Sequence, residues 1–260
     1  MRSAGDAAHD ETAANPYNPV IAKAERPNAD RRDPTPMDIM QAIEQRHSVR
    51  KYADAPLDPA AVERLERVIA RCNAEGGLRF QLCLNDPAPF ASRLATYGMF
   101  EGVSDYVALV GEKGALLEEK VGYYGELVAL EAQVAGLNTC WVALTYRKKA
   151  LSATIADAEA CPCVLALGYG LGQGFPRKTK PVEKLCRSDR DPLPDWFAAG
   201  MRAAQLAPTA LNQQRFLITL ENESVQAVAL AAPCANIDLG IVKRHFELGA
   251  RSVRPDWNWK

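Results

Sequence analysis

The run Ala203-Ala204-Gln205-Leu206-Ala207-Pro208-Thr209-Ala210-Leu211-Asn212-Gln213-Gln214-Arg215-Phe216 governs how the rest of the chain reads. A helical pattern over 196–206 runs into Pro208, which has no amide to continue it. A polar turn with a hydroxyl and three side-chain amides follows. A strand over 215–220 then begins. Such amides either pair with the donor and acceptor edge of a flat heterocycle or form an ordinary polar turn. Stepping back 136 residues (215 − 79) places Arg79-Phe80 under Arg215-Phe216. Without a gap, Phe80, Leu82 and Leu84 fall on Phe216, Ile218 and Leu220, Leu65 falls on Met201, and Pro56-Leu57 falls on Pro192-Leu193. Gly125, opening an apolar helical run, has a looser counterpart in Gly240-Ile241-Val242. The match reads as an internal duplication, with a first half over 35–190 and a shortened second half over 191–260. The alternative is two helix–strand units that share a pattern by chance.

The two copies differ in chemistry. Where the second carries the amide turn, the first reads Arg71-Cys72-Asn73-Ala74-Glu75-Gly76-Gly77-Leu78 and has lost that character. Conversely, Arg46-His47-Ser48-Val49-Arg50 has only a thin echo in Arg187-Ser188-Asp189-Arg190, where Asp189 would repel an anion. Two guanidiniums four residues apart, with a hydroxyl between them, can fork a phosphate monoester. They can equally be a solvated basic helix end that balances the macrodipole. Arg177-Lys178-Thr179-Lys180-Pro181 is a second basic loop, able to complete a phosphate site or simply to face water.

Around these motifs lies an ordinary globular pattern. Thr35-Pro36-Met37-Asp38 predicts a helix start, with its apolar stripe ending at Gln45. Asp58-Pro59 opens a second helix, whose Ala61, Leu65, Val68, Ile69 and Cys72 share one face and which Gly76-Gly77 stops. Residues 79–85 alternate as a strand, with Phe80, Leu82 and Leu84 on its apolar side. Residues 106–111 and 163–168 suit buried strands, and 121–135 suit a helix between them. The first 34 residues hold four prolines and few sizeable apolar groups, and read as a disordered tail.

Of 260 residues, 31 are basic and 32 acidic, so the net charge of −1 points away from nucleic acid and from anionic membranes. No apolar run approaches the roughly 18–20 residues of a membrane span. Seven scattered cysteines fit a reducing, cytoplasmic setting rather than a disulfide framework. Triad-hydrolase, zincin, P-loop and dinucleotide fingerprints are missing, and Cys161-Pro162-Cys163 reads as strand packing rather than a metal site. No metal is expected.

Together, "IEQRHSVRKY … LDPAAVERL", "VALEAQVAGLNTCWVAL", "LALGYG", "RKTKP" and "AAQLAPTALNQQRF" resemble the FMN-dependent nitroreductase superfamily over about residues 37–250. They resemble in particular the subgroup that fuses both halves of the pseudo-dimer in one chain. The resemblance implies an α+β fold, a mixed and mostly antiparallel sheet flanked by helices, with FMN between the halves. It implies phosphate and ring-edge contacts from Arg46, His47, Ser48 and Arg50, and a second phosphate-side element in Arg177 and Lys178. It implies a partner loop of Pro208, Thr209, Ala210, Asn212 and Gln214. Val142, Ala143 and Leu144, after Trp141, match the segment whose backbone amide faces flavin N5. Arg215 stands where proline is usual, and Leu144 where glycine is frequent. The activity implied is a ping-pong oxidoreductase that passes hydride from NAD(P)H through the flavin to a small-molecule acceptor such as a nitro-aromatic or quinone. Catalysis would rest on the flavin rather than on a catalytic side chain, in a monomeric pseudo-dimer or weak homo-oligomer with one FMN per chain. Related alternatives are dehalogenation, flavin fragmentation, or a non-catalytic FMN binder or sensor.

Overall fold

The computed structural model describes residues 37–259 apart from Ala95. The expected tail, and the Thr35-Pro36 part of the first helix signal, lie outside the described residues. Helix α1 (Ile39–Gln45) is started by Asp38. Gln41 N donates to Asp38 Oδ1 at 2.8 Å, and Asp38 N donates to Gln41 Oε1 at 3.1 Å, a reciprocal capping box. The helix therefore starts three residues later than Thr35 would set it. Helix α2 (Pro59–Gly76) begins on an Asp58 cap with proline at its first position and ends at Gly77, whose φ of +61° suits glycine. Its five anticipated core residues are all buried.

The largest sheet described is four-stranded and antiparallel: β1 (Gln81–Cys83), β2 (Asp105–Ala108), β6 (Val164–Gly168) and β4 (Asn138–Val142), in the order β1-β2-β6-β4. Val107, Leu165 and Leu167 face one core, and Tyr106, Val164 and Ala166 face another. Both faces are buried along β2 and β6, which is why residues 106–111 and 163–168 read as continuous apolar runs. β3 (Gly111–Glu112) pairs with β5 (Glu159–Ala160) beside this sheet. The strand expected over 79–85 is shorter than its alternation suggests. Asn85 turns at φ +54°, and its amide donates to Asp105 Oδ1 at 2.8 Å, so Leu84 is 39% exposed.

Helix α3 (Leu117–Val134) starts four residues before the predicted 121 and is buried along most of its length. β7 (Cys186–Ser188) runs parallel to β8 (Phe216–Glu221), which pairs antiparallel with β9 (Ser224–Ala229). The sheets are thus mixed and mostly antiparallel, an α+β arrangement. β3, β4, β5, β7 and β9 were not anticipated, and β4 replaces a turn expected around Trp141. Asp189 accepts from Asn222 N at 2.9 Å, and Arg190 pairs with Glu223, so the sequence echo of the basic cluster is spent on the β8–β9 turn.

Helices α4 (Asp195–Gln205) and α5 (Ala235–Arg251) complete the chain. The starts of α2 and α4 are 136 residues apart, the offset of the sequence match. Helix α5 crosses α3 at two glycines. A Cβ on Gly122 would overlap Ile237 O, and a Cβ on Gly240 would overlap Glu119 O. Each glycine thus meets the carbonyl three residues before the other, an isologous contact with an offset of 118 (240 − 122). Among the described residues no helix is long and apolar enough to cross a membrane.

Candidate active site

Strand β4 leaves the sheet at Val142, its last pair being Val142↔Val164. It thereby opens one wall of a cleft of about 270 Å³. Trp141, Val142, Ala143 and Leu144 form that wall, with Arg50, Met99 and Phe100 beside them. The opposite wall is Pro208, Thr209, Ala210, Leu211 and Gln213, backed by Ile237, Asp238 and Ile241 of α5. Residues from both predicted halves therefore share one crevice.

Two features hold the Trp141 ring in place. Gly125 lacks a Cβ that would lie 2.6 Å from Trp141 Cη2. Trp141 Nε1 donates to Glu126 Oε2 at 2.8 Å. Glu126 is wholly buried, with His245 Nε2 at 2.8 Å from Oε1 and Arg46 Nε at 3.5 Å from the same oxygen. Burial alone would push the Glu126 carboxyl up, but Arg46, His245 and Trp141 hold it below the ordinary carboxylate value. A carboxylate inside an apolar helix thus ties the cleft wall to Arg46 and to α5.

Arg46 itself is 1% exposed, and its Nε and Nη1 have no hydrogen-bond partner among the described residues. Arg177 Nη2 donates to Arg46 O, while Arg177 Nη1 is buried without a partner. Burial and the neighbouring Arg46 charge lower the Arg177 guanidinium to about 10. His47 is lowered by burial and by Arg177 and Arg46. Among the described residues, three buried guanidinium nitrogens therefore make no hydrogen bond, and Arg46 forms an ion pair with Glu126.

Arg46 and Arg50 take different places, although both guanidiniums act on the Cys140 thiol. The chain after α1 is extended, so four residues cover roughly 13 Å, and only Arg50 reaches the cleft while Arg46 is buried. Ser48 bridges to Thr139 of β4, and Val49 N donates to Thr139 O at 3.1 Å.

The amide turn also divides its labour. Leu211, Asn212 and Gln214 all have positive φ. Asn212 Nδ2 donates to Lys178 O at 2.8 Å, and Gln214 Nε2 donates to the same oxygen at 2.9 Å. Gln214 Oε1 accepts from Lys180 N at 2.8 Å, and Lys180 Nζ donates to Gln213 O at 2.6 Å. These two amides strap the basic loop down, and Gln213 is the one that lines the cleft. Of the predicted residues, Arg50, Val142, Ala143, Leu144, Pro208, Thr209 and Ala210 line the cleft directly. Arg46 and Arg177 form the buried cluster with His47 beside it, and Lys178, Asn212 and Gln214 form the strap.

Sequence reasoning missed Glu126, His245 and Asp238. Asp238 accepts from Ala210 N at 2.9 Å and from Gln213 Nε2 at 2.8 Å, pinning the turn to α5. Burial raises its carboxyl to about 6 against the pull of these hydrogen bonds. An acid in the first turn of an apolar helix, and Glu126 amid Leu127-Val128-Ala129-Leu130, were the available signals.

A second groove of about 220 Å³ lies at the related place on α3. Its Leu116, Glu119, Lys120 and Tyr123 stand 118 residues before Cys234, Ile237, Asp238 and Ile241 of the cleft. The Lys243–Glu119 ion pair (2.5 Å) crosses it, and Lys243 Nζ lies 5.5 Å from the Trp259 ring centroid. Where Asp238 accepts from the amide turn, Lys120 donates to Gly76 O at 3.1 Å, reversing the polarity.

Residues 38–250 match the family model described as "Putative TM nitroreductase". Among solved structures, a "putative nitroreductase" from Thermotoga maritima is 23% identical, with a TM-score of 0.62 over 84% of this chain and 86% of that one. A "putative nitroreductase" from Desulfovibrio desulfuricans, solved in complex with FMN, is 21% identical, with a TM-score of 0.47 over 62% of this chain and all of that one. An FMN-dependent nitroreductase from Clostridium difficile is 13% identical, with a TM-score of 0.44 over 56% of this chain and 94% of that one. No curated protein matches the chain. A family match over this span, with the Thermotoga likeness in fold, makes the chain a member of the nitroreductase family.

Proposed function

We propose that the chain binds one FMN between its two halves, 35–190 and 191–260, and acts as an NAD(P)H-dependent oxidoreductase on a small acceptor such as a nitro-aromatic or quinone. One observation carries this reading: buried guanidinium nitrogens of Arg46 and Arg177 that make no hydrogen bond among the described residues, linked to the cleft wall through Glu126 and Trp141. A phosphate monoester supplies the acceptors they lack. When bound, FMN supplies the redox chemistry, taking hydride from NAD(P)H and then passing electrons to an acceptor in the same cleft.

The chain's own groups do the rest. Arg46 and Arg177 neutralise the phosphate, with Lys178 and Ser48 alongside. Arg50 places positive charge on the cleft wall, favouring a ring that gains electrons. The amides of Ala143 and Leu144 fall beyond the last β4–β6 pair, where they can face the ring. Phe100, Trp141, Ile237 and Ile241 exclude water from it.

The fused pseudo-dimer reading is supported by the reciprocal Gly122–Gly240 contact and the corresponding grooves. The α3 groove, with its ion pair and Trp259, does not suit a second flavin. The test is flavin content after denaturing extraction, followed by NADPH addition to the purified protein under anaerobic conditions. The expected result is one FMN per chain, bleached by the donor. Two flavins per chain would refute the division between grooves, and a protein that stays colourless with added FMN would refute the whole reading. Bound flavin that NADPH and NADH both leave oxidised would make the protein a binder instead.

A further inference from the structure

Directly after the cleft residues Leu144 and Thr145, Arg147-Lys148-Lys149 begin a single turn of 3-10 helix. All three side chains are exposed. Among the described residues none of the three has an ion-pair or side-chain hydrogen-bond partner, whereas ion pairs occupy Arg64, Arg67, Arg79 and Arg190. Three adjacent cations are thus left to solvent at the mouth of the cleft segment.

Their place is fixed on two counts. Arg147 N donates to Pro89 O at 2.9 Å, and the buried Tyr146 ring stacks on Phe90 at 6.2 Å, so the base of the turn is rigid. The Lys148 ammonium acts on the thiols of Cys163 and Cys234, both of which line the cleft. Glu118 and Asp238 face Cys234 with the opposite sign. Both are already engaged, Glu118 by Asn236 Nδ2 and Asp238 by Ala210 N and Gln213. The cleft between is mostly apolar, with Met99, Phe100, Leu144 and Leu211 on its walls. It suits a nicotinamide ring and offers few partners to the charged remainder of a dinucleotide.

We infer that Arg147, Lys148 and Lys149 form the docking site for the phosphate groups of the nucleotide hydride donor. This rests on the function proposed above. Lysine stems are long enough to follow a flexible diphosphate or a 2′-phosphate, and the rigid base limits the ordering cost.

The experiment uses the full chain, with flavin content measured first. A Lys148→Glu/Lys149→Glu double variant is compared with the wild type and with Arg71→Glu, an exposed cation on α2. Steady-state kinetics are run with NADPH and with NADH at fixed acceptor, and calorimetry measures binding of 2′,5′-ADP and ADP. In the double variant the donor KM is expected to rise about tenfold, the sum of two exposed charge contacts. The kcat and the acceptor KM should hold, and Arg71→Glu should change nothing. A rise confined to NADPH and 2′,5′-ADP assigns the site to the 2′-phosphate, and a rise for both donors and both nucleotides assigns it to the diphosphate. Raising salt should weaken donor binding in the wild type and not in the variant. Unchanged KM for both donors and unchanged nucleotide binding would overturn the site. A chain that takes up no FMN but binds these nucleotides through the two lysines would instead retain the site and lose the proposed function.

Discussion

Gly122 and Gly240 hold α3 and α5 together by reciprocal contact, each backbone pressed against the carbonyl three residues before the other glycine. Neither place has room for a methyl group. Gly122→Ala and Gly240→Ala should each cost roughly 3 kcal/mol or more, because the obstructing atoms are backbone. Pushing the helices apart once relieves both clashes, so the double variant should cost less than the sum. Urea unfolding of the three variants measures this, and additive costs would show that the two contacts are independent.

Glu126 is the shared counter-charge of a buried cluster, so removing it strands Arg46. Glu126→Ala should destabilise the fold by about 3–5 kcal/mol. Glu126→Gln should cost less, since the amide oxygen can still accept from Trp141 Nε1. The folded carboxyl lies below its ordinary value, so its contribution is complete above the unfolded value of about 4.3 and is lost as pH falls through the folded one. Wild-type stability should therefore fall more steeply below pH ~4 than that of Glu126→Gln, as read from urea midpoints across the acid range.

Asp238 has the opposite linkage. Its folded value of about 6 exceeds the unfolded value of about 3.9, so the native state holds the extra proton between them. Asp238 should make stability decline as pH rises from ~4 to ~6 and contribute no slope above that. Asp238→Asn should remove this slope while keeping an acceptor for Ala210 N. Urea midpoints at pH 4.5 and 7 for both proteins provide the check.

Asn212 combines a left-handed backbone with a bond to Lys178 O. Asn212→Gly keeps the conformation and loses the bond, whereas Asn212→Ala loses both. The alanine variant should be less stable than the glycine variant by about 1 kcal/mol. Both should retain FMN several-fold less well, because the strap on the basic loop is loosened. Glu75→Ala, in the last turn of α2 where the proposed duplication sets the counterpart of the amide turn, should leave flavin retention unchanged. Equal losses at 75 and 212 in a fluorescence titration would contradict the assigned asymmetry.

What the sequence disclosed was local. Helix α2 was legible at both ends because Asp58, Pro59 and Gly77 act within a turn of the residues they cap. The buried strands were legible as apolar runs, though Leu84 lost its place when Asn85 turned the chain. The start of α1 moved to Asp38 because a reciprocal box with Gln41 fixes that end. The different burial of Arg46 and Arg50 was not legible, because residue spacing means a different distance in an extended chain than in a helix. Glu126 and His245 escaped notice for another reason: their contact spans 119 residues, and no local pattern announces it. The amides of Asn212 and Gln214 were recognised as special, but their partners are the backbone of 178 and 180.

A two-fold axis in a homodimer obliges every residue to appear on both sides of it, so a charge that helps one groove is imposed on the other. On the proposed pseudo-dimer reading, Glu126 corresponds to Arg244 and Asp238 to Lys120 across the 118-residue offset. A single polypeptide that joined two such halves would be free of that obligation. It could make one end of the same architecture electrostatically the negative of the other, each tuned without disturbing its twin.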